Sequence, residues 1–273
     1  MFNIERQEKI LEILRKRKSV TVQKLAELVY ASESTIRRDL TELEKGGQIR
    51  RTFGGAVLEE TLTKEVPLLL RQSQNHHMKE QIAKKAVKHI KNGQVIFMDA
   101  SSTVSHLVPL LSQFKELTVI TNSPQTSIAL GKANIRNFCT GGFLLENSIA
   151  YVGQHAENFL RHIHADIMFF SCRGYQPETG EITDSSIEES ELRTVMLKQA
   201  KKKVFLCDSS KFGKEYLYSL CNREEIDVII SDVEVYKIIK TYMQNSSVIL
   251  VEFMCIRKCN SCCYIRREFT ARF

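Results

Sequence analysis

Residues 4–58 limit the fold most sharply: three apolar stripes at helical spacing are followed by two short alternating runs hinged on glycine. Over 4–17, Ile4, Ile10, Leu11, Ile13 and Leu14 fall on one helical face and the charged residues on the other. Ser19 and Thr21 punctuate the chain, and Val22, Leu25, Ala26, Leu28 and Val29 form the stripe of a short second helix. Tyr30, Ala31 and Ser32 then make a tight turn into a third helix over Glu33–Lys45. Gly46 and Gly47 end it, because glycine readily takes the left-handed conformation beyond a helix C-terminus. Residues 48–57 alternate on either side of Gly54 and Gly55, which predicts a two-stranded hairpin. Three short helices and a hairpin in this order form a winged helix-turn-helix.

The third helix carries the chemical information. With Ile36 as the core direction, Leu40 and Leu43 fall within about 40° of it at ~100° per residue. Ser34, Arg38, Thr41 and Lys45 then lie opposite, with Thr35 and Arg37 on the flanks. In a helix-turn-helix the N-terminal part of the second helix of the motif meets base edges. Small hydroxyls allow close approach there, and arginine binds guanine bidentately or holds a phosphate. Arg50 and Arg51 on the hairpin are placed to reach the neighbouring backbone or minor groove. The candidate DNA-binding set is therefore Ser34, Thr35, Arg37, Arg38, Thr41, Lys45, Arg50 and Arg51. Bulk charge adds little: the chain carries +7, yet residues 1–60 hold 12 Lys/Arg against 10 Asp/Glu.

The run from Ser34 to Ala56, STIRRDLTELEKGGQIRRTFGGA, resembles the DNA-binding head of the DeoR family of bacterial regulators in both residues and spacing. That resemblance implies a double-stranded operator as partner and a homo-oligomer, dimer or tetramer, that presents paired heads to repeated half-sites.

Beyond residue 76 the pattern changes to short apolar or β-branched runs alternating with helical stretches. A helix is expected over residues 77–91, ending at Asn92 and Gly93. Strands are expected at 95–98, 117–120, 135–139, 167–170, 204–207, 228–230 and 248–251, which gives an α/β domain with a mostly parallel sheet. Five of these strands lead into small polar clusters: Asp99-Ala-Ser101-Ser102-Thr103, Thr121-Asn122-Ser123, Thr140-Gly141-Gly142, Ser171-Cys172-Arg173-Gly174 and Asp208-Ser209-Ser210-Lys211. Ligands of open α/β sheets bind outside the carboxyl ends of the strands. Hydroxyls and free amides at helix N-termini suit phosphate, Lys211 and Arg173 can neutralise it, and Asp99 and Asp208 can accept from sugar hydroxyls. Taken singly, each cluster reads as a helix cap or a turn. Together they point to a small phosphorylated ligand held by Asp99, Ser101, Ser102, Thr103, Thr121, Asn122, Ser123, Gly141, Gly142, Arg173, Gly174, Asp208, Ser210 and Lys211. Glu188 and Glu189, at the start of a helix expected over 184–200, either face the same cleft or complement the helix dipole.

This second part resembles the DeoR sensor domain, through Lys79-Glu-Gln-Ile-Ala83, Phe97-Met-Asp-Ala-Ser-Ser-Thr103, Val119-Ile-Thr-Asn-Ser123, Gly141-Gly142, Ala165-Asp166 and Asp208-Ser-Ser-Lys-Phe-Gly213. The resemblance implies a ribose-5-phosphate isomerase-like fold and sensing of a phosphorylated sugar or related metabolite. Many members carry Gly-Thr-Thr where this chain has Ser101-Ser102-Thr103; the hydroxyls survive, while the Ser101 side chain limits close backbone approach.

The expected organisation is a DNA-binding head over 1–58, a connector over 59–75, a sensor over 76–251 and an irregular basic tail over 252–273. The tail holds Cys255, Cys259, Cys262 and Cys263 at a spacing that matches no standard zinc pattern, so no metal or other cofactor is expected. Cys139, Cys172, Cys207 and Cys221 are scattered, as thiols of a reducing compartment are. The N-terminus has no signal-peptide pattern and no apolar run is long enough to span a bilayer, so a cytoplasmic location is expected, without a membrane partner. The leading expectation is a metabolite-responsive regulator, most often a repressor in this family, and not an enzyme. Two alternatives stand beside it: a sugar-phosphate isomerase-like enzyme with an accessory head, using Asp99, Asp208, Glu188 and Lys211, and an architectural DNA binder without an effector.

Overall fold

A computed structural model describes residues 3–17, 19–46, 48–52, 54–58, 67–235, 237 and 239. The strand expected at 248–251, the tail and its four cysteines lie outside the described residues, as does Gly47. The chain divides into two compact units, Met1–Gln74 and Asn75–Phe273.

In the first unit α1 (Asn3–Arg17), α2 (Val22–Val29) and α3 (Glu33–Lys45) enclose a core of Ile10, Leu14, Leu25, Ile36, Leu40 and Leu43, each at most 1% exposed. Burying a side chain of this size contributes about 1.5–3 kcal/mol. Ile4, expected on the core face, is instead 55% exposed, because the first turn of α1 lies beyond the core. Thr21 caps α2 by accepting from the Lys24 amide, and Ser32 caps α3 by accepting from that of Thr35. The hairpin of β2 (Ile49–Thr52) and β3 (Gly55–Leu58) gains a third strand, β1 (Ser19–Thr21), giving the order β1-β3-β2 where two strands were expected. A Cβ on Gly55 would collide with the Val20 carbonyl oxygen, so glycine is what lets β1 lie against the turn. Gly46 ends α3 with an ordinary φ of −75°; the second glycine of the expected stop, Gly47, lies outside the described residues. The missing side chain of Gly46 makes room for Leu70, whose Cδ1 lies 2.7 Å from where a Cβ would be. Leu70 belongs to α4 (Leu68–Ser73), a helix inside the stretch expected to be a connector, and Gln74 beyond it donates to Gln48 at 3.2 Å.

The second unit is built on six parallel strands, β4 (Val95–Met98), β5 (Thr118–Thr121), β6 (Arg136–Cys139), β9 (Ile167–Phe170), β12 (Lys203–Leu206) and β14 (Val228–Ile230). Their order is β14-β12-β9-β4-β5-β6. Both faces are covered. Phe97, Met168, Phe170 and Phe205 pack on one side with α7 (Gln154–Arg161) and α8 (Ile187–Gln199). Ile96, Met98, Ile167, Phe169 and Val204 pack on the other with α5 (His76–Ala86). Such two-sided burial is what continuous apolar runs in parallel sheets require. The helix expected over 77–91 is α only to Ala86 and then 3-10 over Val87–His89; a longer 3-10 segment, Val104–Gln113, contains Pro109. α6 (Pro124–Lys132) starts with proline at its first position, where the missing N–H costs nothing.

Two small sheets went unforeseen: a hairpin of β7 (Phe143–Leu145) and β8 (Ala150–Val152), and a sheet of β10 (Gly174–Tyr175), β11 (Glu181–Asp184) and β13 (Tyr218–Asn222). Among the described residues no helix is long and apolar enough to cross a membrane. Nor do three His, Cys, Asp or Glu side chains among them form a group that could hold a metal.

Candidate DNA-binding and effector sites

On α3, Ile36, Asp39, Leu40 and Leu43 are buried while Ser34, Arg37, Arg38 and Lys45 are exposed. The Arg38 side chain is 84% exposed. Sequence reasoning missed Asp39, which is buried and accepts from Arg6 of α1 at 2.5 and 3.0 Å; this ion pair fixes α3 against α1. Each arginine of α3 has an acid one turn away, Arg37 with Glu33 at 3.0 Å and Arg38 with Glu42 at 3.7 Å. Thr35 shares a 2.8 Å hydrogen bond with the cap hydroxyl of Ser32, and Thr41 donates to the Arg37 carbonyl. Arg51 folds onto α3: its Nη1 donates to Thr41 Oγ1 at 3.0 Å and its amide to Glu44 at 2.8 Å. Wing and helix thus present one hydroxyl-and-guanidinium surface. Arg50 lies on β2, and its side chain is outside the described residues.

In the second unit all five polar clusters lie beyond the carboxyl ends of parallel strands of one sheet, but they do different things. Those after β4, β9 and β12 converge. Lys211 Nζ donates to Ser171 Oγ at 2.7 Å and to Thr103 Oγ1 at 3.4 Å, and lies 3.5 Å from Asp208. Lys79, only 3% exposed on α5, donates to Ser102 Oγ at 3.1 Å. Asn75 donates to Asp208 at 3.2 Å and to Ser210 at 3.0 Å, while Ser210 donates to Asp208. Burial raises the Asp208 pKa, but Lys211, Ser210 and Lys79 outweigh it and hold the carboxyl below its ordinary value, hence ionised.

Asp99 takes no part in this cluster. One oxygen accepts from the Ser101 amide at 3.1 Å; the other accepts from the Ser171 amide at 3.2 Å and from Arg193 Nε at 2.8 Å. Arg193 of α8 is buried and also meets Asp184 at 3.0 Å and Glu189 at 3.6 Å. Burial opposes its charge, but the carboxylates win and its pKa stands well above the ordinary guanidinium value. Glu189 is therefore a partner of Arg193, and the exposed Glu188 accepts from Ser186 at 3.2 Å.

The remaining expected residues also make contacts within the scaffold. Ser101 accepts from the Val104 amide, Thr121 from that of Ser123, and Ser123 from that of Thr126. Asn122 donates to the Tyr151 carbonyl, leaving its buried Oδ1 without a partner. Gly141 and Gly142 adopt φ of +64° and +115°, and a Cβ on Gly142 would come within 2.6 Å of the Val152 carbonyl oxygen. Arg173 turns toward Asp184 at 3.9 Å, and Gly174 runs against the Lys214 backbone. The structure adds Asn75, Lys79, Ser171, Asp184 and Arg193. Lys79 had a legible signal: it stands at the apolar spacing of Ile82, Ala83 and Ala86, where a lysine needs a buried partner.

Residues 6–61 match the DeoR-like helix-turn-helix domain and residues 74–233 the DeoR C-terminal sensor domain. The transcriptional regulator GolR of Listeria innocua is 38% identical over 247 residues, 90% of this chain and 97% of that protein. The lactose phosphotransferase system repressor of Staphylococcus epidermidis is 32% identical, covering 85% and 93%. The L-fucose operon activator of Haemophilus influenzae is 32% identical, covering 90% and 98%. A D-ribose-5-phosphate isomerase bound to phospho-erythronic acid superposes with a TM-score of 0.39 at 15% identity, over 50% of this chain and 54% of that one, too loosely to argue from. The chain belongs to the DeoR family, a DNA-binding transcriptional regulator with a helix-turn-helix domain followed by a sensor domain.

Proposed function

We propose that the sensor binds a phosphorylated sugar or closely related metabolite between Lys79 and Lys211, and that this binding alters the grip of the head on its operator. The convergence of these two lysines on the Ser102, Thr103 and Ser171 hydroxyls carries the reading. Asp208 is the carboxylate both ammonium groups act on, whereas Asp99 is turned to Arg193; a phosphate dianion adds charge where the lysines hold too little. The same bonding speaks against an isomerase, because Asp99 is bound to Arg193 and Asp208 is paired with Lys211, so neither carboxylate is poised for acid–base work. Repression in the cytoplasm by a homo-oligomer fits this reading, and the names of two similar proteins, one a repressor and one an activator, show that relatives regulate in both directions.

The switch requires the effector to bind the operator-competent and operator-released states with different affinity. Operator titration at fixed salt, with a panel of sugar phosphates, tests it. Arg38→Ala is expected to weaken operator binding by about 1–3 kcal/mol with the fold retained, the worth of one good base contact. Lys211→Met is expected to leave operator binding intact and abolish the response to the active sugar phosphate. Wild-type affinity in folded Arg38→Ala, or an unchanged response in Lys211→Met, would refute the assignment.

A further inference from the structure

Asn75, the residue before α5, is of a type well suited to cap a helix by accepting from its second or third amide, yet its side chain makes no such bond. It reaches across the chain instead, donating through Nδ2 to Asp208 Oδ1 at 3.2 Å and to Ser210 Oγ at 3.0 Å. Its backbone is left-handed, with φ +55° and ψ +32°. Asparagine visits that region more readily than most side chains, though still at a cost. Left-handed residues commonly close a preceding helix by bonding back to it. Among the described residues the Asn75 amide makes no bond to α4, so no helix stop calls for the conformation. The caps of the head unit display the alternative: Thr21 and Ser32 hold φ of −76° and −69° and accept from the amides of Lys24 and Thr35.

Asn75 therefore has two sets of partners and cannot serve both. As observed, it holds Asp208 and Ser210; turned in φ by roughly 125°, it would cap α5 as those residues cap their helices. The two positions are closely balanced. The forgone cap and the left-handed backbone each disfavour the observed position about fivefold, and a hydrogen bond to an ionised carboxylate returns about ten- to hundredfold. Two states so matched are what a ligand of modest differential affinity can exchange.

We propose that Asn75 is a two-position switch, bonded to Asp208 and Ser210 while the effector site is empty and turned to cap α5 when an effector hydroxyl takes Asp208. Asp208 Oδ1 accepts from both Asn75 and Ser210, which fills its two lone pairs, so a third donor there displaces one of them. Asn75 opens the sensor unit and is joined to Gln74, the last residue of the head unit. A change of its φ thus redirects the chain that leads into the head. The trigger rests on the sugar-phosphate reading; the two positions of Asn75 do not.

Asn75→Asp tests the switch apart from that reading. Aspartate keeps the shape, caps a helix as well as asparagine, suits the positive end of the helix dipole and is repelled by ionised Asp208. It is expected to hold the turned position with no effector present. In operator titration at fixed salt, effector-free Asn75→Asp is expected to differ from effector-free wild type by about tenfold, to match wild type saturated with its sugar phosphate, and to respond no further. The thermal shift given by that sugar phosphate is expected to persist, because Lys79, Lys211 and the hydroxyls are untouched. Asn75→Gly takes the left-handed backbone freely but bonds neither Asp208 nor Ser210, and is expected to lose most of the response too. If no sugar phosphate changes wild-type affinity, the effector reading fails; the tenfold difference of effector-free Asn75→Asp still upholds the switch, and its absence still overturns it. A full wild-type response in either folded variant overturns it as well.

Discussion

Arg193→Met is the most exacting test of how the sensor is held together. Methionine keeps much of the aliphatic stem and removes the cation that meets Asp99 at 2.8 Å, Asp184 at 3.0 Å and Glu189 at 3.6 Å. All four side chains are at most 5% exposed, so water cannot replace the lost partner. Removing one side of a buried ion pair costs about 3–5 kcal/mol. For a unit of this size about 2–4 °C is lost per kcal/mol, which predicts a fall in Tm of roughly 6–20 °C. Scanning calorimetry of the full chain is expected to show that fall in the sensor transition and none in that of the head. The pH dependence adds a second constraint. Buried carboxylates without a cation have pKa values raised above those of the unfolded chain, so the deficit is largest at neutral pH and shrinks as the pH falls through the raised values. A fall in Tm below about 3 °C, or an equal deficit at pH 5 and pH 7, would refute the view that Arg193 is the keystone.

Two further outcomes are expected. Gly55→Ala should destabilise the head by about 3 kcal/mol or more in urea titration, because its Cβ meets the rigid Val20 backbone; Gly131→Ala, in open space on α6, should stabilise the sensor by about 0.5–1 kcal/mol. His89 is held down at about 4 by burial and by Lys202, so the unfolded chain binds more protons between about pH 6.5 and 4 and stability drops as the pH falls through that window. With screening at its half-buried ring the loss is about 1 kcal/mol, and His89→Asn should remove it from a pH series of urea midpoints.

Much of this was legible in the sequence, for reasons that differ by element. The head announces itself because Ile36, Leu40 and Leu43 and the glycines of the wing obey strictly local rules of period and turn. Five of the six strands of the large sheet show as apolar runs because both their faces are buried, whereas β6 at the edge alternates exposed and half-buried residues. β1, β7 and β10 escaped because two or three residues are too few to show a period, and they exist only through their pairing partners. The same limit governs the site. Lys211 stood out beside Asp208, but nothing local says that Lys79 meets Ser102, 23 residues away, or that Asp99 is claimed by Arg193, 94 residues away. Long-range pairs decide which of the polar clusters converge and which bond elsewhere in the scaffold.

The recognition surface can be argued one step further from its own ion pairs. Exposed pairs one helical turn apart, such as Arg37 with Glu33 and Arg38 with Glu42, are worth only about 0.3–0.5 kcal/mol each. A guanine edge or a phosphate displaces such a partner at little cost, so the acids do not block binding. They do reduce the long-range field that would draw the head to any DNA, consistent with 12 basic against 10 acidic residues in 1–60. Non-specific affinity depends on that field and on counterion release, whereas base contacts act only at close range. A head with little excess charge and paired arginines therefore gives up indiscriminate binding and keeps its discrimination. That balance suits a switch: effector binding has to overcome only a limited number of close contacts, not a broad electrostatic attraction.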